Sequence, residues 1–154
     1  MIARRLGIVI ALAVSLLPLL AGAKPADEKV ETFTGKVVPL ADLVAKSGSR
    51  LDADAAPHWL ALVTDDGKVY PLVKDAGARL FFKDPALLNR PMQLTGKLLP
   101  GSQMLRVLTV RSVKKGELYE VYYWCDVCTI RRGEKNICEC CGGPMMLREE
   151  PVKK

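Results

Sequence analysis

All five cysteines of this 154-residue chain fall in one short segment, as Cys125-Asp126-Val127-Cys128 and Cys138-Glu139-Cys140-Cys141. Two residues separate the thiols within each outer pair, and nine residues separate Cys128 from Cys138. A two-residue spacer lets both sulfurs of a pair take one side of a tetrahedron with metal–sulfur bonds of ~2.3 Å. Backbone amides inside such a turn point at the sulfurs and offset their negative charge. Gly142, directly after the last cysteine, accepts the left-handed backbone that a bulkier residue resists. The expected ligands of one ion are therefore Cys125, Cys128, Cys138 and Cys141, and the expected ion is Zn²⁺. Four thiolates around a dication leave a net charge of −2. Arg131, Arg132 and Lys135, between the pairs, are expected to screen it and lower the thiol pKa values. Cys140 is the odd thiol, either an alternative ligand replacing Cys138 or Cys141 or a free thiol beside the site.

Other cysteine chemistries fit less well. In an oxidising compartment neighbouring cysteines form disulfides, but five leave one over, and a bridge across two residues is strained. A thioredoxin-like redox site places its pair at a helix start within a βαβ unit, which this sequence lacks. Haem attachment needs a histidine after the second cysteine, where Thr129 and Gly142 stand. Little supports catalysis. A four-thiolate site is closed to a catalytic water. His58 is the lone histidine, and Asp52, Asp54, Asp65, Asp66 and Asp75 read as ordinary turn acids. No glycine-rich phosphate loop or nucleophile motif is present, so the chain is expected not to be an enzyme.

The elements that position the cysteines read as mainly β. Thr32–Val38 alternates and ends at Pro39. Leu40–Ala45 suits a helical turn or two, and 47–57 suits a loop. His58–Thr64 and Lys68–Val73 flank Asp65-Asp66-Gly67, whose Asp-Gly supplies a tight hairpin turn. Trp59, Ala61 and Val63 share one face of that first strand, with Leu60 and Leu62 on the other. Helical starts are expected over Asp75–Phe82 and Asp84–Asn89, with Asp84 as cap and Pro85 at the first helical position. Pro91–Leu98 alternates, with Met92, Leu94 and Leu98 inward and Gln93, Thr95 and Lys97 outward. Gln103–Val113 is a last long strand. Glu117–Trp124 then leads into Cys125, with Tyr119, Val121 and Tyr123 on one face. These aromatics, beside Arg111, Lys114 and Lys115, either stack nucleic-acid bases or cover a small metal domain that has little other core; the second reading is preferred.

The order strand, loop, hairpin, short helix, hairpin over residues 31–116 resembles an oligonucleotide/oligosaccharide-binding (OB) barrel, a five-stranded Greek-key barrel. The phrase Thr-Gly-Lys recurs at Thr34-Gly35-Lys36 and Thr95-Gly96-Lys97, where glycine permits the sharp bends of barrel strands. Residues 117–150 are expected to form a four-cysteine ribbon hairpin, followed by a tail at 151–154. Tyr123 to Cys128 and Cys138 to Leu147 resemble a zinc ribbon. They also look like the short heavy-metal-binding (YHS-like) segment of exported metal-handling proteins. That segment starts Cys-Pro-Met-His, whereas Val127-Cys128 stand where Met-His would be, so the resemblance implies a four-thiolate zinc-type site over soft-metal transport.

The start of the chain addresses its destination. Arg4-Arg5 precede an apolar run, Leu6–Leu20, and Ala21-Gly22-Ala23 supplies small residues. These are the three parts of a secretory signal peptide, expected to be cleaved after Ala23; the run is short for a membrane span of roughly 20 residues. Residues 24–30 read as a flexible leader. Cleavage removes two of 23 basic and none of 17 acidic residues, so net charge falls from +6 to +4. A periplasmic or secreted location follows. Three roles are expected in that order: a non-catalytic binding module with a metal-stapled ribbon, its barrel meeting a protein or cell-envelope partner; capture or delivery of Zn²⁺, Cu⁺ or Cd²⁺, with Met145 and Met146 as added soft donors; and nucleic-acid binding, should residues 1–23 not be a signal peptide.

Overall fold

The computed structural model describes residues 29–153; the expected signal peptide and most of the leader lie outside them. The chain is mainly β. Eight strands join in one sheet: β1 (Val30–Pro39), β2 (Leu60–Thr64), β3 (Val69–Pro71), β4 (Pro91–Leu98), β5 (Leu105–Lys114), β6 (Glu117–Cys125), β7 (Ile130–Arg132) and β8 (Met146–Pro151). They run in the order β3-β2-β1-β4-β5-β6-β7, with β8 on β6, and every ladder is antiparallel. Two short helices, α1 (Leu40–Lys46) and α2 (Arg79–Lys83), and two 3₁₀ turns at Ala56–His58 and Pro85–Leu87 complete the elements. Among the described residues no helix is long and apolar enough to cross a membrane.

Alternation builds the core as the sequence dictates. Phe33 and Val37 of β1, Met92 and Leu94 of β4, and Leu105 and Val107 of β5 all face inward and are buried. Each such side chain contributes roughly 1.5–3 kcal/mol through burial. Leu60, Ala61 and Leu62 are all buried, in keeping with the two apolar faces read for this strand. Trp59 departs from that reading: it lies outside β2, ends the 3₁₀ turn, and is 40 % exposed. The repeated Thr-Gly-Lys phrases have a steric reason. A Cβ on Gly35 would sit 2.1 Å from the Val63 carbonyl oxygen, and one on Gly96 2.3 Å from that of Arg106. Gly96 also marks the register shift where β4 bends against β5. Glycine permits backbones to approach this closely.

The strand ladders leave the sheet open, in contrast to the closed five-stranded barrel expected. β3 is only three residues long and ends at Pro71, which has no amide to extend a ladder. It reaches β5 only at an isolated parallel bridge, Leu72 to Leu105, where the Val73 amide donates to the Leu105 carbonyl at 3.0 Å. The strand count also exceeds five, because β5 turns through Lys115-Gly116 into β6 and the cysteine segment continues the same sheet. β6 holds three neighbours. Its first half pairs with β5 (Arg111 opposite Glu120) and its second with β7 (Tyr123 opposite Arg132). β8 pairs along the opposite edge from Tyr119 to Trp124.

Candidate metal centre

β6 delivers Cys125 at its last residue, and the chain then reverses into β7 through Cys125–Thr129. The Thr129 amide donates to the Cys125 carbonyl at 2.8 Å. The second turn repeats this geometry: the Gly142 amide donates to the Cys138 carbonyl at 2.8 Å. Both residues four places beyond the first cysteine take a left-handed backbone, with φ 53° at Thr129 and 71° at Gly142. The second turn is closed at its base by Cys138 N–H to the Gly143 carbonyl (2.8 Å) and by the bridge Ile137–Pro144. β8 then returns alongside β6.

The two turns face each other. The Sγ atoms of Cys125, Cys128, Cys138 and Cys141 all lie within 4.8 Å of one another, and Cys125 and Cys141 approach to 3.5 Å. A tetrahedron with ~2.3 Å metal–sulfur bonds has edges of ~3.8 Å, so this arrangement suits a single ion with little adjustment. All five cysteines are free thiols. Among the described residues, this is the cluster of metal-ligating groups that could hold an ion.

Amides reach the sulfurs in both turns. The Cys128 amide donates to Cys125 Sγ at 3.4 Å. The amides of Cys141 and Cys140 point at the Cys138 sulfur and pull its thiol down to about 7. The Cys128 amide also favours the Cys125 thiolate, but burial and the thiols of Cys138 and Cys141 outweigh it, so that thiol is pushed up. Cys128 is pushed up further, first by the Cys140 thiol, then by burial and its other sulfur neighbours. Four crowded sulfurs resist ionising together, and a cation among them reverses that balance. This donor set fits a thiophilic divalent ion. Cys125, Cys128, Cys138 and Cys141 would hold it, and it would cross-link the two turns.

Cys140 stands outside the four-sulfur group and is exposed. The basic residues expected to screen the sulfurs are engaged with carboxylates instead. Arg131 pairs with Glu120 at 2.9 Å, Arg132 with Glu139 at 2.8 Å, and Lys135 with Asp84 at 3.4 Å. The methionines divide: Met145 is buried in the core, while Met146 is exposed on β8. His58 is exposed with its Nδ1 2.9 Å from Lys74 Nζ. The turn acids do not converge; Asp66 pairs with Lys68 at 2.8 Å and Asp75 with Arg106 at 3.4 Å. Tyr123 is buried beside Cys125, Cys138 and Met145, in accord with aromatics that cover the metal segment. Tyr122, on the opposite face, is covered by the Arg131 guanidinium 4.0 Å above its ring.

Sequence reasoning missed what anchors this segment. The Tyr123 hydroxyl donates to Asp84 Oδ2 at 2.8 Å in a buried contact. Asp84 Oδ1 accepts from the Ala86 amide at 3.2 Å, which is the capping role read from the sequence. Glu134 lies between Arg79 and Lys83 of α2, at 3.6 and 3.2 Å. Glu149 of β8 pairs with Arg90 and, at 2.6 Å, with Lys114. A tyrosine two residues from a candidate cysteine was the one available signal, since a buried phenol needs a partner. No protein family, curated protein or solved structure matches this chain.

Proposed function

We propose that this chain is an exported, non-catalytic metal-binding protein in which one Zn²⁺ staples a ribbon to an OB-like binding barrel. The carrying observation is the convergence of four thiols from two like turns within 4.8 Å. The amide hydrogen bonds to Cys125 and Cys138 add to it, since they favour thiolates where a cation would sit. The barrel reading is supported by strand order. β1 neighbours both β2 and β4, β2 leads to β3, β4 leads to β5, and the parallel bridge Leu72–Leu105 joins β3 to β5. With α2 between β3 and β4 in the chain, this order supports the reading of β1–β5 as an OB-like Greek key, which a closed barrel would complete. Export rests on the basic, apolar and small-residue parts of residues 1–23.

A carrier role for Zn²⁺, Cu⁺ or Cd²⁺ is the second reading, favoured by the exposure of Cys140 and Cys141 at the centre. Native mass spectrometry of the protein purified from the periplasm decides between them. A chain beginning at Lys24 with one Zn²⁺, slow to exchange with added isotope, is expected for a structural centre. Rapid exchange would favour the carrier. Two disulfides and no metal would overturn both.

A further inference from the structure

The outer face of β6, β7 and β8 carries a group of side chains that the metal centre does not use. Tyr122 and Trp124 alternate along β6 with Tyr123 and Cys125, which are buried in the core. The two outer rings meet edge to face, with centroids 6.5 Å apart and planes at 83°. Arg131 stands opposite Trp124 on β7, and Arg148 opposite Tyr122 on β8. Together with Glu150 these side chains line a cavity of about 510 Å³. Arg131 is also a wall of a second cavity of about 290 Å³, shared with Glu120, Leu108 and Thr109. Small-molecule clefts enclose roughly 300–1,000 Å³ and place a few polar groups on an apolar or aromatic wall.

The charges on this face are balanced and held. Glu120 holds Arg131 at 2.9 Å, and Asp126 holds Arg148 at 2.8 Å. Glu150 Oε1 accepts from the Tyr122 hydroxyl at 2.5 Å. Arg111 stands opposite Glu120 in the ladder between β5 and β6. Three guanidiniums therefore meet three carboxylates on this side of the sheet. Trp124 is half-buried, which leaves part of its indole open to the cleft.

We infer that this cleft binds a neutral oligosaccharide, with Trp124 as the platform for one sugar ring and Arg131, Arg148 and Glu150 as partners of its hydroxyls. A polyanion such as nucleic acid is held by cations that neutralise its phosphates, and both guanidiniums in the cleft are already neutralised by carboxylates. A sugar has no charge to balance, and each of its hydroxyls donates and accepts. A guanidinium offers five N–H donors and a carboxylate about four acceptor sites, so ion-paired groups keep capacity for a ligand. Side chains fixed by such pairs lose little further freedom on binding. The C–H face of a pyranose carries slight positive charge and packs on the negative face of an indole. Tyr122 is a positioning residue: it meets Trp124 edge-on, and the Arg131 guanidinium lies 4.0 Å above its ring. Because Arg131 borders both cavities, the cleft suits several linked sugars over a single one. The site lies outside β1–β5 and does not use the sulfur cluster, so it stands apart from the zinc reading.

The test titrates the isotope-labelled full chain, as purified, with cellotetraose, maltotetraose and N-acetylchitotetraose, and with a thymidine oligonucleotide as the polyanion. Nuclear magnetic resonance follows the Trp124 indole N–H and the Nε–H signals of Arg131 and Arg148. Trp59, the other tryptophan, lines neither cavity and is the internal control. At least one of the three sugars is expected to move the Trp124 and Arg148 signals saturably at millimolar concentration, with Trp59 unmoved. Trp124→Ala and Arg148→Ala are each expected to weaken that binding at least about tenfold, since a few aromatic and arginine anchors carry most of a binding energy. Arg148 is exposed on β8, so Arg148→Ala decides alone should Trp124→Ala fail to fold. Three results would overturn the inference and leave the zinc centre untouched. They are no saturable shift at Trp124 with any of the sugars, wild-type affinity in Arg148→Ala, and binding of the oligonucleotide in place of the sugars.

Discussion

Thr129 and Gly142 hold the same station in the two halves of the centre, each closing a turn with its amide on the carbonyl of the first cysteine. Their side chains differ, and so does the cost of their backbone. A left-handed conformation costs an L-residue roughly 1–2 kcal/mol relative to glycine. Thr129, β-branched at φ 53°, carries that strain; Gly142 at 71° does not. Nothing lies within 4 Å of a Cβ built on Gly142, so conformation alone sets the penalty there. Gly142→Ala is expected to cost the metal-loaded protein about 1 kcal/mol. Thr129→Gly is expected to gain somewhat less than about 1 kcal/mol, because the more flexible unfolded chain offsets part of the relief. Urea denaturation of the zinc-loaded forms checks both; a gain from Gly142→Ala would show that the two turns are not equivalent. The cysteine spacing and the role of Gly142 were legible because both are local. The strain at Thr129 was not, since nothing in the sequence says that the first turn copies the second.

β6 is the element on which the fold turns. One stretch of nine residues completes the sheet beside β5, supports both β7 and β8, and ends in Cys125, one of the four clustered cysteines. Its Tyr123 also reaches Asp84, at the start of the 3₁₀ turn Pro85–Leu87, 39 positions back. Burial is the largest influence on that carboxyl and pushes it up. The Tyr123 hydroxyl, the Ala86 amide and Lys135 together outweigh it and hold Asp84 below its ordinary range. Burial, and then the Asp84 carboxylate, push the Tyr123 phenol far up. A carboxyl depressed by folding stabilises above its unfolded pKa of about 3.9 and loses that contribution as pH falls through the lower folded value. A phenol raised by folding stabilises below about pH 10 and loses that at alkaline pH. Tyr123→Phe is therefore expected to cost about 1–3 kcal/mol at pH 7, by leaving a buried carboxylate oxygen unpaired. Asp84→Asn is also expected to destabilise at pH 7, with its deficit against wild type narrowing below about pH 4. Comparing variants at each pH by denaturation cancels metal loss common to all; a deficit constant from pH 7 to 3 would refute the carboxylate's role. Strands were legible where alternation was strong, as in β1 and β4. Pairing across 39 residues leaves no periodic trace, and the brevity of β3 hid how far the sheet stays from closing.

At the scale of the molecule, the question is how far the centre supports the rest. One buried cluster runs from Phe33, Leu62 and Leu94 through Tyr123 to Cys125, Cys138 and Met145, so no boundary in the core sets the ribbon apart. Ion pairs add ties: Glu134 to α2, Lys135 to Asp84, and Glu149 to Lys114. The regular ladders are distributed unevenly, however. β1, β4 and β5 pair over seven residues at each junction, while β7 pairs over three and the two cysteine turns are held by isolated backbone hydrogen bonds and one bridge. A metal that cross-links such turns replaces the core they lack. Chelating the ion is expected to abolish hydrogen-exchange protection at Thr129, Cys138, Gly142 and Met145 and to weaken it along β8. β1 and β4 should keep theirs, since local opening follows where few contacts hold the backbone. Adding zinc back should restore the pattern. If chelation instead stripped protection from β1 and β4 as fully as from the turns, the ribbon and the sheet would be one cooperative unit. The ion would then hold the entire fold, through the continuous core that Tyr123 and Cys125 provide.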